Sequence, residues 1–477
     1  MLTLTCPNLG LQAASMLLMS SGTPYLRSLG LSDAVAALIW LIGPLCGAFV
    51  QPILGILSDN SQHPWGRRKP FIVWGSFFVA TCLIALAYID TLTRRYLEVG
   101  TRQENSHLLA QILAFLLVCV ISFAIQSFQI GVRTLVVDIC PPEQQVCANA
   151  WNTRWSGLGS VCLLLVGYFD KRYTLFSAED NTKLKTLAVL VAIFITATVS
   201  ILCLIIPDKA RIQSSNGAEV QTLWKTCKTI WSIQMSWKCW EALPPVSLQV
   251  CKVQFLAWLA WFPITYYAST GISITNTLLA ILSSGVRNSE SDDQLISAAR
   301  LNGDLALLCF SSISVLTSLS LPLLTGYTAH RPSHSQLSRR MPLSHWLQYA
   351  QQGLGFCMLL TLFAWNVPVG ISIIGTAGIS WSISTWVPFA LVGAEVSGIQ
   401  DICLMDCGEE SQAGWVMGIH NMAISFPQIC SAILCSVLFK IMESLKVLNP
   451  EAWVFRMCGL IILVASSRTY KLRHLGV

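Results

Sequence analysis

Long apolar runs separated by short polar segments recur along this chain. Ala34 to Ser58 and Phe71 to Ile89 contain no Asp, Glu, Lys or Arg, and each is long enough to cross a hydrocarbon core of about 30 Å as a helix. The same pattern predicts spans at 4–26, 34–58, 70–90, 108–132, 146–169 and 186–206, then at 248–270, 303–327, 346–365, 371–391, 414–438 and 450–467. No period-two alternation competes with it. The expected fold is therefore all-α and integral to the membrane: twelve transmembrane helices in two six-helix halves, 1–206 and 248–477. A basic central loop, 207–247, joins them, and its Trp224, Trp231, Trp237 and Trp240 predict an interfacial helix. Two ends are blurred: Val253 to Val286 carries no charge, and the last span places Glu451 and Arg456 in its first turns.

Composition agrees. Of 477 residues, 54% are hydrophobic and 11% charged, against roughly a quarter charged in soluble domains. The net charge of +6 is small and gathered at span ends, so no nucleic-acid partner is expected; the lipid bilayer is the macroscopic partner. Lys and Arg cluster at 67–69, 209–238, 331–340 and 468–473, which puts those segments and both termini on the cytoplasmic side. The inner loops 138–145 and 392–413 do not follow this pattern, the first lacking Lys and Arg and the second acidic. The eighteen cysteines lie mostly singly in apolar runs, where they act as small hydrophobes. Cys403 and Cys407 have no second pair at zinc spacing, so no metal site is expected. The first span follows Met1 without a basic leader and reads as its own insertion signal.

Charges at membrane depth are rare and usually functional. Gln129-Ile-Gly-Val-Arg133-Thr-Leu-Val-Val-Asp138 closes the fourth span. Arg133 offers a planar fork of donors suited to sugar hydroxyls or a carboxylate. It reads equally as a side chain snorkelling to head groups, with Asp138 in the loop. Gln126, Gln129, Trp258, Trp261, Ser380, Trp381, Ser384, Trp386, Asn421 and Gln428 are polar or flat aromatic groups of the kind a solute cavity needs, although each tryptophan reads as well as an interface residue. No nucleophile–base set, paired catalytic carboxylates or phosphate loop emerges, so an enzyme is not expected.

Gly55 to Asp59 followed by Gly66-Arg67-Arg68-Lys69 resembles the cytoplasmic gating signature between the second and third helices of major facilitator transporters. Trp65-Gly-Arg-Arg-Lys-Pro-Phe71 resembles its form in the sucrose/α-glucoside branch, as does Gln129-x-x-x-Arg133-x-Leu-x-x-Asp138. Ser21 to Ser32, Leu38 to Gly47, Val50-Gln-Pro52, Gln254 to Pro263, Ile379 to Leu391 and Gly418 to Gln428 resemble further helices of fungal general α-glucoside permeases. The resemblance implies a secondary active or facilitative transporter for a sucrose- or maltose-like α-glucoside, working by alternating access, with a proton as the candidate coupling ion and no cofactor. It assigns the motif's arginine, Arg133, to substrate or proton coupling; beside it Asp138, Gln129, Gln126, Trp258, Trp261, Asn421 and Gln428 stand as candidate substrate or coupling residues by residue type. It also implies a monomer in the plasma or vacuolar membrane. Three family carboxylates are missing, at the positions of Leu18, Ser122 and Ile274, which leaves Asp138, His420 and Glu395 as titratable candidates. The rival expectations are a divergent member carrying another small metabolite, and a non-transporting sensor, which would need a long soluble tail.

Overall fold

The computed structural model describes residues 1–97, 103–173, 180–208, 238–284, 289–324, 341–363, 366–406, 412–447 and 450–475. These residues form twelve long helical elements and no strand. They are α1 Pro7–Ser28, a segmented α2 over 33–59, α3 Lys69–Leu97, α4 Gln103–Ile139, α5 Pro142–Tyr173 and α6 Asp180–Ile205. Then come α7 Pro245–Ser284, α8 Ser289–Leu324, α9 Leu343–Leu359, α10 Val367–Asp406, α11 Ala413–Ser444 and α12 Pro450–Thr469. Eight of them qualify as membrane spans on length and hydropathy alone. Of the rest, α9 has only 17 residues and α5 carries Gln145, Asn149, Asn152 and Arg154. Leu38, Ile193, Leu204, Leu319, Leu323 and Val437 stand exposed, an apolar surface that lipid covers and water would not tolerate.

One buried cluster is drawn entirely from residues 4–202 and another from residues 257–465. A third gathers Leu54, Ile130, Val137 and Ala150 with Trp386, Phe389, Ile419 and Ala423. It is the seam along which α2, α4 and α5 pack on α8, α10 and α11. Both chain ends lie at the same end of the bundle, here the terminal face: Met1 meets Cys140 at the end of α4, and Arg473 meets Gln348 near the start of α9. The central-loop assignment and its tryptophan-rich helix fall mostly on residues 209–237, outside the described residues; Lys238–Glu241 is a single short helix. Cys407 and the basic stretch 331–340 also lie outside them.

Prolines lie inside α1, α7, α8, α10 and α11 and in the segmented α2, and they leave particular carbonyls without an intrahelical donor. Pro263 strips the donor from Leu259, whose oxygen accepts instead from the Ser431 hydroxyl at 2.9 Å. Pro322 does the same to Ser318, whose oxygen accepts from Arg154 Nε at 3.0 Å. In α2 the backbone widens to a π turn over Cys46–Val50, with Gln51 N–H donating five residues back to Cys46. In that register Pro52 would have served Gly47, and the orphaned Gly47 oxygen accepts from Asn421 Nδ2 at 3.1 Å. Two of these three repairs join the halves.

Candidate functional site

The site is built on α4. Arg133 Nη1 donates to Asn421 Oδ1 on α11 at 3.0 Å, and its guanidinium lies 4.2 Å from the centre of the Phe389 ring on α10. The edge-to-face partner of that ring is His420, 4.6 Å away. Asn421 turns its amide nitrogen to Gly47 O and to Ser425 Oγ at 3.2 Å. Arg133 of the first half is thereby tied through one amide to α11 and to the backbone of α2, and through the Phe389 ring to α10. Arg133 remains partly accessible, while Asn421, Phe389 and His420 are buried.

Among the described residues no Asp or Glu oxygen lies within 4 Å of the Arg133 guanidinium. Around the seam several buried polar atoms have no protein partner: both amide atoms of Gln51 and of Gln254, Gln126 Oε1, Ser384 Oγ and both ring nitrogens of His420. A buried polar atom left unpaired costs about 1–3 kcal/mol, so this region is poised to bond something outside the chain. Gln129 lies one turn before Arg133, and Gln428 two turns after Asn421; both are half-buried.

The aromatic candidates divide. Trp258 reaches both the seam and the second half's core. Trp261, 1% exposed, is packed in that core with its ring 5.0 Å from Trp381. Trp258 lies 5.7 Å from the same Trp381 ring and Phe310 5.8 Å.

Asp138 is five residues from Arg133 but belongs to a different cluster. It accepts from Arg67 Nη2 at 3.1 Å and from Arg68 Nε at 2.7 Å. Arg68, with no exposed surface, also pairs with Asp59 at 2.7 Å and donates to Ser58 Oγ at 2.7 Å. Burial would lower the Arg68 pKa, but the Asp138 and Asp59 carboxylates outweigh it and hold it above its ordinary value. Asp59 accepts the backbone N–H groups of Gly414 and Trp415 at 3.0 and 2.9 Å, placing a carboxylate at the N-terminus of α11. Asp208 does the same for α3 through the N–H groups of Arg68 and Lys69 at 2.7 and 2.9 Å. Lys69 Nζ donates to Cys203 O at 3.0 Å. Gly55 and Gly414 let α2 and α11 touch backbone to backbone, since a Cβ on either would strike the other's carbonyl. Gly66 adopts φ +110°, and a Cβ there would strike Asp208.

Glu395 accepts from Val246 N–H, Ser247 N–H and Ser247 Oγ at 2.9, 2.6 and 2.6 Å. The carboxylates Asp59, Asp138, Asp208 and Glu395 are thus all engaged at this face. No group of three or more metal-ligating side chains occurs among the described residues. Arg456 faces protein, over the Trp453 ring at 4.6 Å and toward Thr361 O at 3.5 Å.

Sequence reading named Arg133 and Asn421 without pairing them. Phe389, Gly47 and the Arg154–Ser318 contact went unnoticed. Gln51 appeared only as part of Val50-Gln-Pro52; its signal was a lone amide inside a run otherwise free of strong polarity.

The chain is 27% identical to the general alpha-glucoside permease of Schizosaccharomyces pombe over an alignment covering 100% of this chain and 93% of that protein. It is 32% identical to a sucrose transport protein of Arabidopsis thaliana, over 32% of this chain and 26% of that one. Among solved structures it resembles the proton:xylose symporter XylE, with a TM-score of 0.61 at 12% identity, over 98% of this chain and 94% of that chain. A bacterial homologue of the iron transporter ferroportin gives 0.61 at 15% identity over 98% of both chains. Such different cargoes on one scaffold mean that the fold alone carries no substrate. The homologues are transporters rather than enzymes, and with the family profile matching residues 8–432, this multi-pass membrane protein belongs to the Major Facilitator Superfamily.

Proposed function

We propose that this protein is a transporter for a sucrose- or maltose-like α-glucoside, moved by alternating access of its two halves. The observation that carries the reading is the Arg133–Asn421 bond, which joins the halves at membrane depth beside buried, unsatisfied amides. A solute with several hydroxyls offers those groups the partners they lack, and exchanging Asn421 for the solute loosens the seam. The relatives' names support the glucoside class. In this reading the terminal face is cytoplasmic, in keeping with Arg67, Arg68 and Lys69 there. The Asp59–Gly414 and Arg68–Asp138 contacts are then the closed inner gate. The protein works as a monomer in the plasma or vacuolar membrane, and its division into 1–206 and 248–477 is the division into moving bodies.

The test is uptake of radiolabelled sucrose and maltose into proteoliposomes, with and without an inward proton gradient, for wild type and Arg133→Ala. Gradient-stimulated uptake lost in the variant supports a symporter; gradient-independent uptake supports a facilitator. No uptake of either sugar under any gradient sinks the glucoside reading. A second reading, transport or export of another small polar metabolite, is favoured by one observation: the carboxylates Asp59, Asp138 and Glu395 are engaged at the terminal face, and none stands beside Arg133.

A further inference from the structure

Membrane topology gathers Lys and Arg at one face, but it does not arrange them round a hollow. At the terminal ends of α7 and α12 they are so arranged. A cavity of about 290 Å³ opens there, lined by Lys252 of α7, Arg468 at the end of α12 and Lys471 of the 3₁₀ turn that follows. All three side chains are exposed, and no Asp or Glu among the described residues lines the cavity. Gln249 Nε2 donates to Arg468 O at 2.8 Å, which holds the last turn of α12 against the second turn of α7. Trp240, from the short helix Lys238–Glu241, also lines the cavity, an indole of the kind that sits among head groups. The lining turns apolar with depth. Phe255 and Leu256 follow one turn beyond Lys252, and Phe255 stacks on the exposed Phe426 of α11 with ring centres 6.3 Å apart. On α12 the exposed Leu460 and Val464 lie two turns and one turn before Arg468, so a lipid-facing apolar stripe runs into the basic mouth.

We propose that this cavity binds the head group of an anionic phospholipid. The phosphate pairs with Lys252, Arg468 and Lys471 through charge-assisted hydrogen bonds, and the acyl chains run along Leu460 and Val464 on α12 and past Phe255 and Leu256 on α7. A soluble anion would meet the cations and leave the stripe unused. A zwitterionic head group would bring its own ammonium against three positive side chains. In the orientation proposed above the leaflet is the cytoplasmic one, whose anionic lipids are what basic pockets between helices recognise. The bound lipid bridges α7, α12 and the helix Lys238–Glu241, which ends the segment joining the two halves. The site is separate from the seam and stands whichever solute the protein carries.

The experiment titrates phosphatidylglycerol and phosphatidylcholine of the same acyl chains into detergent micelles of the purified protein. Thermal unfolding is followed, and native mass spectrometry counts the lipids retained. Expected is a retained phosphatidylglycerol, with half-maximal protection at a lipid fraction at least about tenfold below that of phosphatidylcholine. Lys252→Gln, Arg468→Gln and Lys471→Gln should each raise that fraction about fivefold, the weight of one basic side chain at a charged membrane surface. The triple variant should lose the preference while unfolding at the wild-type temperature in lipid-free micelles, since only exposed side chains change. Lys440→Gln, at an exposed lysine near the far end of α11, should keep the preference intact. Equal protection by both lipids, a preference that survives in the triple variant, or an equal loss in Lys440→Gln overturns the proposal. So does equal protection by glycerol phosphate, which has no acyl chains and would make the cavity a soluble-anion site.

Discussion

Arg68 and Arg133 are both arginines held inside the molecule, and their surroundings are opposite. Arg68 has no exposed surface, two carboxylates and a serine, and it stitches α2, α3 and α4 together at the terminal face. Arg133 has one amide and one ring, and it reaches across the seam to the other half. A paired buried charge is structural, because its desolvation is offset by partners that never leave. An arginine answered only by neutral groups keeps more of its desolvation cost uncompensated. Both clusters also touch α11, Asp59 at its first residues and Arg133 at Asn421 two turns further on.

Removing each arginine should separate the two roles. Arg68→Ala takes from Asp59 its ion-pair partner and from Asp138 one of its two arginines, and is expected to lower stability by about 3–5 kcal/mol, seen as loss of folded protein or a sharply lower unfolding temperature in detergent. Arg133→Met should do the reverse on stability, raising it by roughly 1–4 kcal/mol, while transport falls at least about a hundredfold. Equal destabilisation by both substitutions would erase the contrast.

The contact between the clusters can be sharpened at Gly55. Gly55→Ala drives a methyl into the Gly414 carbonyl, so the terminal ends of α2 and α11 should separate. Spin labels at Asn60 and Gln412, at the terminal ends of α2 and α11, then report a longer distance than in wild type, and an unchanged distribution would remove the gate assignment. The smallest expected effect lies within one half. Ser431→Ala leaves the Leu259 oxygen without its donor and should lower stability by about 1 kcal/mol. Adding Pro263→Ala, which restores the backbone N–H, should remove most of that loss.

Several features were legible along the chain because they are local. Each span announces itself through its own residues, since lipid demands a continuous apolar surface and an internally satisfied backbone. Arg133 stands out in the same way, as a charge where charge is rare. Asp138 shows the limit of this reasoning. Five positions on from Arg133, it turns away to Arg67 and Arg68, about seventy residues earlier, because α4 emerges at the terminal face between its turn and the next.

Sequence alone determined the class of molecule, the approximate position of its helices and the identity of its unusual charges, because hydropathy and ionisation are properties of a residue and its near neighbours. Only tertiary structure decided which charge is answered and which is not. The carboxylates nearest Arg133 in sequence are not near its guanidinium in space, and its actual partner, Asn421, is 288 positions away. It also decided that the oxygen orphaned by Pro52 meets that same amide. Charge balance is summed over distance in three dimensions, where a few ångströms separate a paired ion from a lone one.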